Sequence, residues 1–276
     1  MKKTKAVLPS SELSELIERF SQQNIVAEME KRYQSAPARL VPTDLIDDNR
    51  FIEEVVLPTK TIQDFSTRIK EKGFYNPLVV RQKENERYEI ILGRKRYVGA
   101  KEAGLVSLPC VIAEAKDEEV LLMLLADTRD QREANVVEMA LVCKKLQDDF
   151  GYTQQMLADL SYQSRPQITN ILRILRLPSS TRKDLCLGKL SYGHAKVIVS
   201  LPQEEIVPMV RRIQKEKLSV RKTEEIVTSF LKGNEENEST LVVAGGSMRK
   251  TKRSITFTFE TEEALAAFLS TLKKKD

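Results

Sequence analysis

The segment 152–178, YTQQMLADLSYQSRPQITNILRILRLP, constrains the fold of this chain more than any other stretch. Its small and apolar residues predict two short helices that cross closely, Thr153 to Leu160 and a second that begins at Ser164, with SYQ as the turn. Ser164 followed by Gln167 forms a capping-box pattern at the start of the second helix. The segment therefore predicts a helix-turn-helix.

The second of these helices carries polar side chains near its N-terminus, where a recognition helix meets base edges in the major groove. Arg favours guanine there, and Gln or Asn favours adenine. Arg173 lies farther along the helix and fits a phosphate contact better. The alternative is an ordinary helical hairpin whose polar residues face solvent. The predicted DNA-contacting residues are Thr153, Gln154, Ser164, Arg165, Gln167, Thr169, Asn170 and Arg173.

The composition favours a helix-rich chain of several small domains. It has 276 residues, no Trp, one His and three Cys far apart, which argues against a structural zinc site and fits a reducing cytoplasm. The net charge is only +5, so any binding to nucleic acid must depend on local clusters of charge. Because no apolar run reaches transmembrane length, we expect no membrane span and no signal peptide.

Patterning divides the chain into five ranges. Residues 1–39 predict an amphipathic helical arm, 40–130 a small α+β domain, and 131–232 a helical domain that holds the helix-turn-helix. The range 233–253 is polar and contains glycine, which indicates a linker. Residues 254–276 predict one strand and one helix. Because so small a unit buries too little surface to fold alone, we expect it to form a homodimer.

Three consecutive cations open a predicted helix in residues 93–104, GRKRYVGAKEAG, directly after the strand-like run YEIIL. A helix N-terminus presents unpaired N–H groups and the positive end of the helix dipole, so this arrangement suits an anion. The alternative is a solvated first turn whose charges serve solubility. The residues alone leave both interpretations open.

These segments together resemble the ParB family of chromosome and plasmid partition proteins, from about residue 55 to the C-terminus. YNPLVVRQ resembles a family strand that ends in Pro-x-x-Val-Arg, and GRKRYVGAKEAGLVSLPCVI resembles the Gly-Glu-Arg-Arg box with its following helix and strand. The stretch 153–178 resembles the family's helix-turn-helix, and GKLSYGHAKVIVSLP, LSVRKTEEIV and the tail resemble the segments after it. The implied fold class is an α+β N-terminal domain of the ParB, sulfiredoxin-like type, an all-α helix-turn-helix domain and a small strand–helix C-terminal dimerisation unit.

The resemblance implies a dimeric, site-specific protein that binds double-stranded DNA at a centromere-like site in chromosome or plasmid partition. It also implies CTP and Mg²⁺ in the N-terminal domain, closure into a sliding clamp, and a ParA-type ATPase as partner at the nucleoid in the cytoplasm. A transcriptional regulator or nucleoid-occlusion factor that binds scattered sites is an open alternative. An enzyme on the same N-terminal fold is a third, although sulfiredoxin chemistry needs a cysteine where this chain has GRKR.

The resemblance further assigns residues to the nucleotide, and the chain departs from the family at several of them. Arg94 and Lys95 replace the Glu and the first Arg of the box. Thr128 and Arg129 replace the Glu and Asn that the family uses for metal and hydrolysis, so CTP hydrolysis stays open, and Asp127 is the expected substitute ligand for Mg²⁺. The implied nucleotide-binding residues are Asn76, Pro77, Arg81, Gly93, Arg94, Lys95, Arg96, Gln131 and Arg132.

One further family segment, Asn-Pro-x-Gln-Pro-Arg near the start of the N-terminal domain, has no match here. DDNRFIEEV stands in its vicinity. It is a further departure, beside the altered box and the substitutions at Thr128 and Arg129.

Overall fold

A computed structural model gives the structure of the protein and describes residues 37–130, 135–236, 240–243, 246–250, 255–259 and 261–273. Residues 1–36 of the predicted helical arm lie outside these ranges. The chain divides into two compact units, Met1–Glu216 and Lys217–Asp276. Within the described ranges, no helix combines the length and the apolar character that a membrane crossing requires.

The first unit begins with a five-stranded mixed sheet. Its central strands, β3 (Leu78–Gln82) and β4 (Tyr88–Leu92), are buried along their apolar runs, LVV and IIL, which is typical of strands covered on both faces. Neighbours β5 and β3 are parallel, as are β2 and β4, whereas β1–β5 and β3–β4 are antiparallel. The order across the sheet is β1-β5-β3-β4-β2. The strands are β1 (Arg39–Pro42), β2 (Ile46–Asp47), β3 (Leu78–Gln82), β4 (Tyr88–Leu92) and β5 (Ser107–Ile112), and a 3-10 turn, Thr43–Leu45, joins the first two.

Two helices, α1 (Thr59–Lys72) and α2 (Arg94–Glu102), cover one face of this sheet, and α3 (Asp117–Asp130) contacts β4. Gly99 allows α1 and α2 to pack closely, because a Cβ at this position would lie 2.5 Å from the Cβ of Phe65. This arrangement confirms the α+β fold expected of the N-terminal domain.

The described part of the first unit that follows α3 is helical, as predicted. Apolar side chains of α5 (Gln154–Ser161) and α6 (Arg165–Arg173) meet in its core, where Leu157, Ala158, Ile168 and Ile171 are all buried. The helix-turn-helix is therefore confirmed, with Thr153 and Ser164 as the N-caps of its two helices. The helices are α4 (Val136–Phe150), α5 (Gln154–Ser161), α6 (Arg165–Arg173), α7 (Ser179–Cys186), α8 (Tyr192–Ile198) and α9 (Gln203–Glu216), and a 3-10 turn, Ile174–Arg176, follows α6.

The described residues of the second unit form three antiparallel strands in sequential order and two helices. The strand and helix predicted for the tail are β8 (Ile255–Phe259) and α11 (Glu262–Lys273). The Ala264 amide donates to Thr261 Oγ1 at 3.3 Å, as the predicted cap requires. The ring of Phe268 lies 4.5 Å from that of Phe257 and 5.2 Å from that of Phe259, centroid to centroid. The elements are α10 (Val220–Glu236), β6 (Thr240–Val243), β7 (Gly246–Lys250), β8 (Ile255–Phe259) and α11 (Glu262–Lys273).

The range 233–253, expected to be a linker, differs from that expectation. It contains the end of α10 and the strands β6 and β7. The β-branched run TLVV pairs with GSMRK, and β7 pairs in turn with β8. The ladder satisfies backbone groups of a segment whose side chains are mostly polar, so composition alone understated its order.

Candidate DNA and nucleotide sites

The recognition helix α6 begins at a complete capping box. The Ser164 amide donates to Gln167 Oε1 at 2.7 Å, and the Gln167 amide donates to Ser164 Oγ at 3.4 Å. The preceding turn requires Tyr162 to adopt a left-handed conformation with φ of 52°, at a position where glycine is more usual. These contacts fix the start of α6, where Arg165 is exposed.

The two helices are also joined by polar side chains. Thr169 Oγ1 donates to Gln154 Oε1 at 2.8 Å, which leaves the amide N–H groups of Gln154 as donors for another acceptor. Thr153 caps α5, because the Met156 amide donates to its Oγ1 at 3.2 Å. All eight predicted DNA-contacting residues are exposed or partly exposed. We call them the DNA-reading surface: Thr153, Gln154, Ser164, Arg165, Gln167, Thr169, Asn170 and Arg173.

The cationic box lies at the start of α2. Gly93 caps this helix with φ of 98°, and a Cβ there would lie 2.8 Å from Leu78 Cδ2 and 3.0 Å from Arg96 Nη2. Arg96 Nη1 donates to the carbonyl oxygens of Asn76 at 2.5 Å and Pro77 at 3.1 Å. The structure therefore brings four of the predicted nucleotide-binding residues together, around a turn that needs glycine.

Arg94, the residue in place of the family's Glu, pairs with Asp48. Arg94 Nε donates to Asp48 Oδ1 and Arg94 Nη2 donates to Asp48 Oδ2, both at 2.7 Å. Asp48 belongs to DDNRFIEEV, so the two departures from the family pattern meet in one ion pair. Arg94 Nη1 is buried without a hydrogen-bond partner, and no other side-chain nitrogen or oxygen in the described part of the chain shares that state. A buried donor of this kind suits an incoming anionic oxygen.

Glu138 is a site residue that sequence reasoning missed. It lies in the first turn of α4, where burial and then the negative charge of Asp127 raise the pKa of its carboxyl to about 7, against the lowering effect of Arg94 and Lys95. Lys95 and Glu138 also line one cavity of about 390 Å³. A single Glu in a first helical turn is a common pattern, so nothing in the sequence marked it.

One further predicted nucleotide residue, Arg81, does not join this group. Gln131 and Arg132 lie outside the described residues. Arg81 stands opposite Glu89 on β4, near the end of the strand pair distant from Gly93. Its Nε donates to Glu89 Oε2 and its Nη1 to Asp117 Oδ1, both at 2.7 Å, so its side chain serves an ion-pair network.

At the position where the resemblance implies a metal-binding Glu, this chain has Thr128. Thr128 is buried, and its hydroxyl donates to the backbone carbonyl oxygens of Leu124 and Leu125 in its own helix. That hydroxyl is therefore committed within α3. Asp127, one residue earlier, is partly exposed, and its charge acts on Glu138.

The pKa of Glu138 predicts a pH-dependent stability. Its folded pKa of about 7 lies above its usual 4.5, so the unfolded chain ionises first as pH rises. Between pH 4.5 and about pH 7 the free energy of unfolding therefore falls as pH rises, because the unfolded chain releases the Glu138 proton more readily than the folded chain. We expect Glu138→Gln, without nucleotide or metal, to raise the free energy of unfolding by roughly 1–3 kcal/mol at about pH 8 and to leave it unchanged near pH 4. Urea unfolding across this pH range measures it, with the exposed Glu102→Gln as control; a gain independent of pH would contradict the assignment.

Comparisons with known proteins agree with these features. The family model described as "ParB N-terminal domain" matches residues 27–128, and the one described as "ParB HTH domain" matches residues 132–232. A probable chromosome-partitioning protein ParB of Vibrio cholerae is 32% identical over 63% of this chain and 60% of that relative. Across it and relatives from Pseudomonas putida and Neisseria meningitidis, the chain spans 60–66% of the relative's length.

Two solved structures of a C-terminally truncated chromosome-partitioning protein ParB from Caulobacter crescentus are also similar. The one complexed to the centromeric parS site is 28% identical, with 69% of this chain and 99% of that chain covered and a TM-score of 0.42. The one complexed with CTP-gamma-S is 29% identical, with 64% and 99% covered and a TM-score of 0.33.

Two further relatives are similar, one named for nucleoid occlusion and one for chromosome partition. The nucleoid occlusion protein of Bacillus thuringiensis is 30% identical over 69% of this chain and 66% of the relative. A probable chromosome-partitioning protein ParB of Campylobacter jejuni is 32% identical over 81% of this chain and 78% of that relative. With more than two thirds of that relative covered and both domain models matched in order, the chain belongs to the ParB family.

Proposed function

We propose that this protein is a dimeric, site-specific DNA-binding protein of DNA partition whose hold on DNA is switched by CTP. The observation that carries the proposal is the presence, in one compact unit, of a capped recognition helix with exposed Arg165 and Gln167 and of a cationic helix start at Gly93. The relatives named as chromosome-partitioning proteins support the partition role.

The DNA-reading surface supplies the donors that base recognition needs. Arg165 at the start of α6 suits a guanine edge and Asn170 suits adenine, because each presents two hydrogen-bonding groups in one plane. Gln167 Oε1 already accepts from the Ser164 amide in the capping box, so Gln167 offers DNA its side-chain N–H donors. Thr153 and Gln154 lie at the start of α5, where backbone and side-chain donors suit a phosphate that fixes the docking register. Arg173, in the last turn of α6, adds a second phosphate contact.

The box at Gly93 fits a triphosphate on two observations. The first amides of α2 have no acceptor within their own helix, and Gly93 allows the left-handed turn that packs the Arg96 guanidinium against this cap. The buried Nη1 of Arg94 still needs an acceptor, which an anionic oxygen would supply. We propose CTP as the ligand and Arg96 as its main charged contact, assisted by Lys95.

Magnesium would add charge neutralisation, since Mg²⁺ is ordinarily held by one or two carboxylates together with substrate phosphates. Asp127 is the proposed protein ligand because its charge acts on the Glu138 carboxyl, on which the box cations Arg94 and Lys95 also act. Thr128 does not serve, since its hydroxyl is committed to the backbone of α3. We therefore propose CTP binding as the switch and assign no hydrolytic residue.

Dimerisation through the C-terminal unit is the next part of the proposal. Leu265 and Leu269, four residues apart on α11, are 42% and 48% exposed. β8 is an outer strand of its sheet. An apolar helical stripe beside a strand edge suits a second copy of the same unit. We also propose a ParA-type ATPase partner and a cytoplasmic location on the nucleoid, which the family membership supports.

A second function is favoured by one observation, the 30% identity to the Bacillus thuringiensis nucleoid occlusion protein. In that case the protein binds scattered sites and does not act at a single centromere. A genome-wide immunoprecipitation map of the tagged protein in its own cells separates the two. Enrichment that spreads for kilobases from one or a few sites supports a sliding partition clamp, whereas sharp, isolated peaks support a local binder.

Arg96→Ala tests the nucleotide site. Loss of a charge-assisted contact to phosphate should weaken CTP binding at least about tenfold. Isothermal calorimetry with CTP and Mg²⁺ measures the affinity, and Lys101→Ala, an exposed cation farther along α2, is the matched control. Equal CTP affinity in Arg96→Ala and wild type would remove Arg96 from the site.

A further inference from the structure

We infer that residues 48–54, which we call the relay segment, couple the nucleotide box to the recognition helix through an ion pair at each end. Asp48 pairs with Arg94 at one end, and Glu54 pairs with Arg182 at the other. The inference rests on the proposed function, because it concerns how one proposed site acts on the other.

The first end of the relay segment reaches into the box itself. Arg94 is the first residue of α2 and neighbours the glycine cap, and its side chain is only 14% exposed. Two of its nitrogens hold Asp48, while its Nη1 still lacks an acceptor. A phosphate oxygen that satisfies Nη1 must therefore act on the same rigid, planar guanidinium that positions Asp48.

The middle of the relay segment is held firmly enough to transmit a displacement. Asn49 is fully buried, its Nδ2 donates to the carbonyl of Ile90 at 2.8 Å, and its Oδ1 accepts from the Phe51 amide at 2.9 Å. The Ile52 amide donates to the Asn49 carbonyl at 3.1 Å, and the Ile52 side chain is buried. A turn bonded in this way shifts as one piece, because packed and hydrogen-bonded groups absorb little strain.

The second end of the relay segment reaches the end of the recognition helix. Arg182, on α7, pairs with Glu54 and also donates from Nη1 to the carbonyl oxygens of Leu175 at 2.8 Å and Leu177 at 3.0 Å. These two carbonyls belong to the 3-10 turn that directly follows α6 and to the residue after it. Arg182 is therefore a positioning residue for the recognition helix, and Glu54 ties it to the N-terminal domain.

The Glu54–Arg182 pair is suited to coupling more than to stability. Glu54 is 39% exposed, and ion pairs at such exposure contribute little to folding. The position of the pair matters more, because it links the N-terminal domain to the Arg182 guanidinium, which also binds the turn after α6. Two ligands are coupled when both bias the same element, and the relay segment contacts the box through Asp48 and reaches the turn after α6 through Arg182.

Glu54→Gln tests this coupling in the full-length protein. The substitution removes the charge that joins the domains but leaves the bonds of Arg182 to Leu175 and Leu177 in place. Glu53→Gln, an exposed residue on the same turn, is the matched control for the change in charge. The probe is a duplex selected by the wild-type protein from a random-sequence pool, and its Kd is measured with and without CTP-gamma-S.

In wild type and Glu53→Gln, we expect the nucleotide to change the Kd for DNA by about 5–150-fold, the usual range of allosteric coupling. In Glu54→Gln this factor should fall towards one, while nucleotide-free DNA affinity and CTP-gamma-S affinity each stay within about twofold of wild type. A full nucleotide effect in Glu54→Gln would overturn the inference.

Failure of the proposed nucleotide site is separable, because CTP-gamma-S would then bind neither wild type nor variants. A nucleotide-free double-mutant cycle still decides the relay in that case. Asp48→Asn and Arg182→Gln, alone and together, should change the Kd for DNA non-additively, by about twofold or more. Additive effects in variants with wild-type thermal unfolding would overturn the relay.

Discussion

Arg165→Ala is expected to remove most of the discrimination between a specific DNA site and random DNA. Loss of one bidentate contact to a base costs roughly 1–3 kcal/mol. In a dimer that reads two half-sites, the same loss occurs twice, so the cost rises to roughly 2–6 kcal/mol, or about 30- to 10⁴-fold in Kd. Arg165 is exposed at the first position of α6, directly after the Ser164 cap, so its truncation should leave the fold intact.

The measurement compares the Kd for a selected duplex with that for a random duplex, at several salt concentrations. Arg165→Ala should raise the first far more than the second. Arg173→Ala is the matched control, because loss of a phosphate contact should weaken both affinities about equally and reduce the salt slope by about 1 per half-site, or about 2 for a dimer on two half-sites. An unchanged ratio of specific to random affinity in Arg165→Ala would refute the assignment of α6 as the recognition helix.

The helix-turn-helix was predictable because its signals are local. The Ser164–Gln167 capping box spans three residues, and the buried Ile168 and Ile171 follow at helical spacing. Such features depend only on neighbouring residues, so one sequence suffices to place them. The strand and helix of the tail were predictable for the same reason, from alternation in ITFTF and the Thr261 cap.

The pairings around the nucleotide box were not predictable in this way. Asp48 and Arg94 are 46 residues apart, and each alone resembles an ordinary surface charge. The raised pKa of Glu138 likewise depends on burial between helices and on the charge of Asp127, eleven positions earlier. Only the tertiary structure shows that the substitution in the box and the altered segment before it compensate each other.

If the protein dimerises through its tail as proposed, deleting residues 237–276 should leave a monomer and weaken specific DNA binding by about 10²–10⁴-fold. The deletion begins after α10 and removes the whole three-stranded sheet with α11, so no unpaired strand remains. Two linked recognition helices bind two half-sites with a high effective concentration, and that advantage disappears when the copies separate. Light scattering at micromolar concentration measures the mass, and titration with a selected duplex measures the affinity.

A point substitution distinguishes loss of the interface from loss of the unit. Leu269→Glu places a charge on the exposed stripe of α11, where it should separate the two copies because a buried, unpaired carboxylate is costly. The Phe257–Phe268 ring contact does not involve Leu269, so the fold of the unit should persist in circular dichroism. Thr261→Ser, which retains the cap of α11, is the control. If both the truncated chain and Leu269→Glu remained dimeric, the copies would have to meet through residues that precede position 237, and the tail would lose its assigned role.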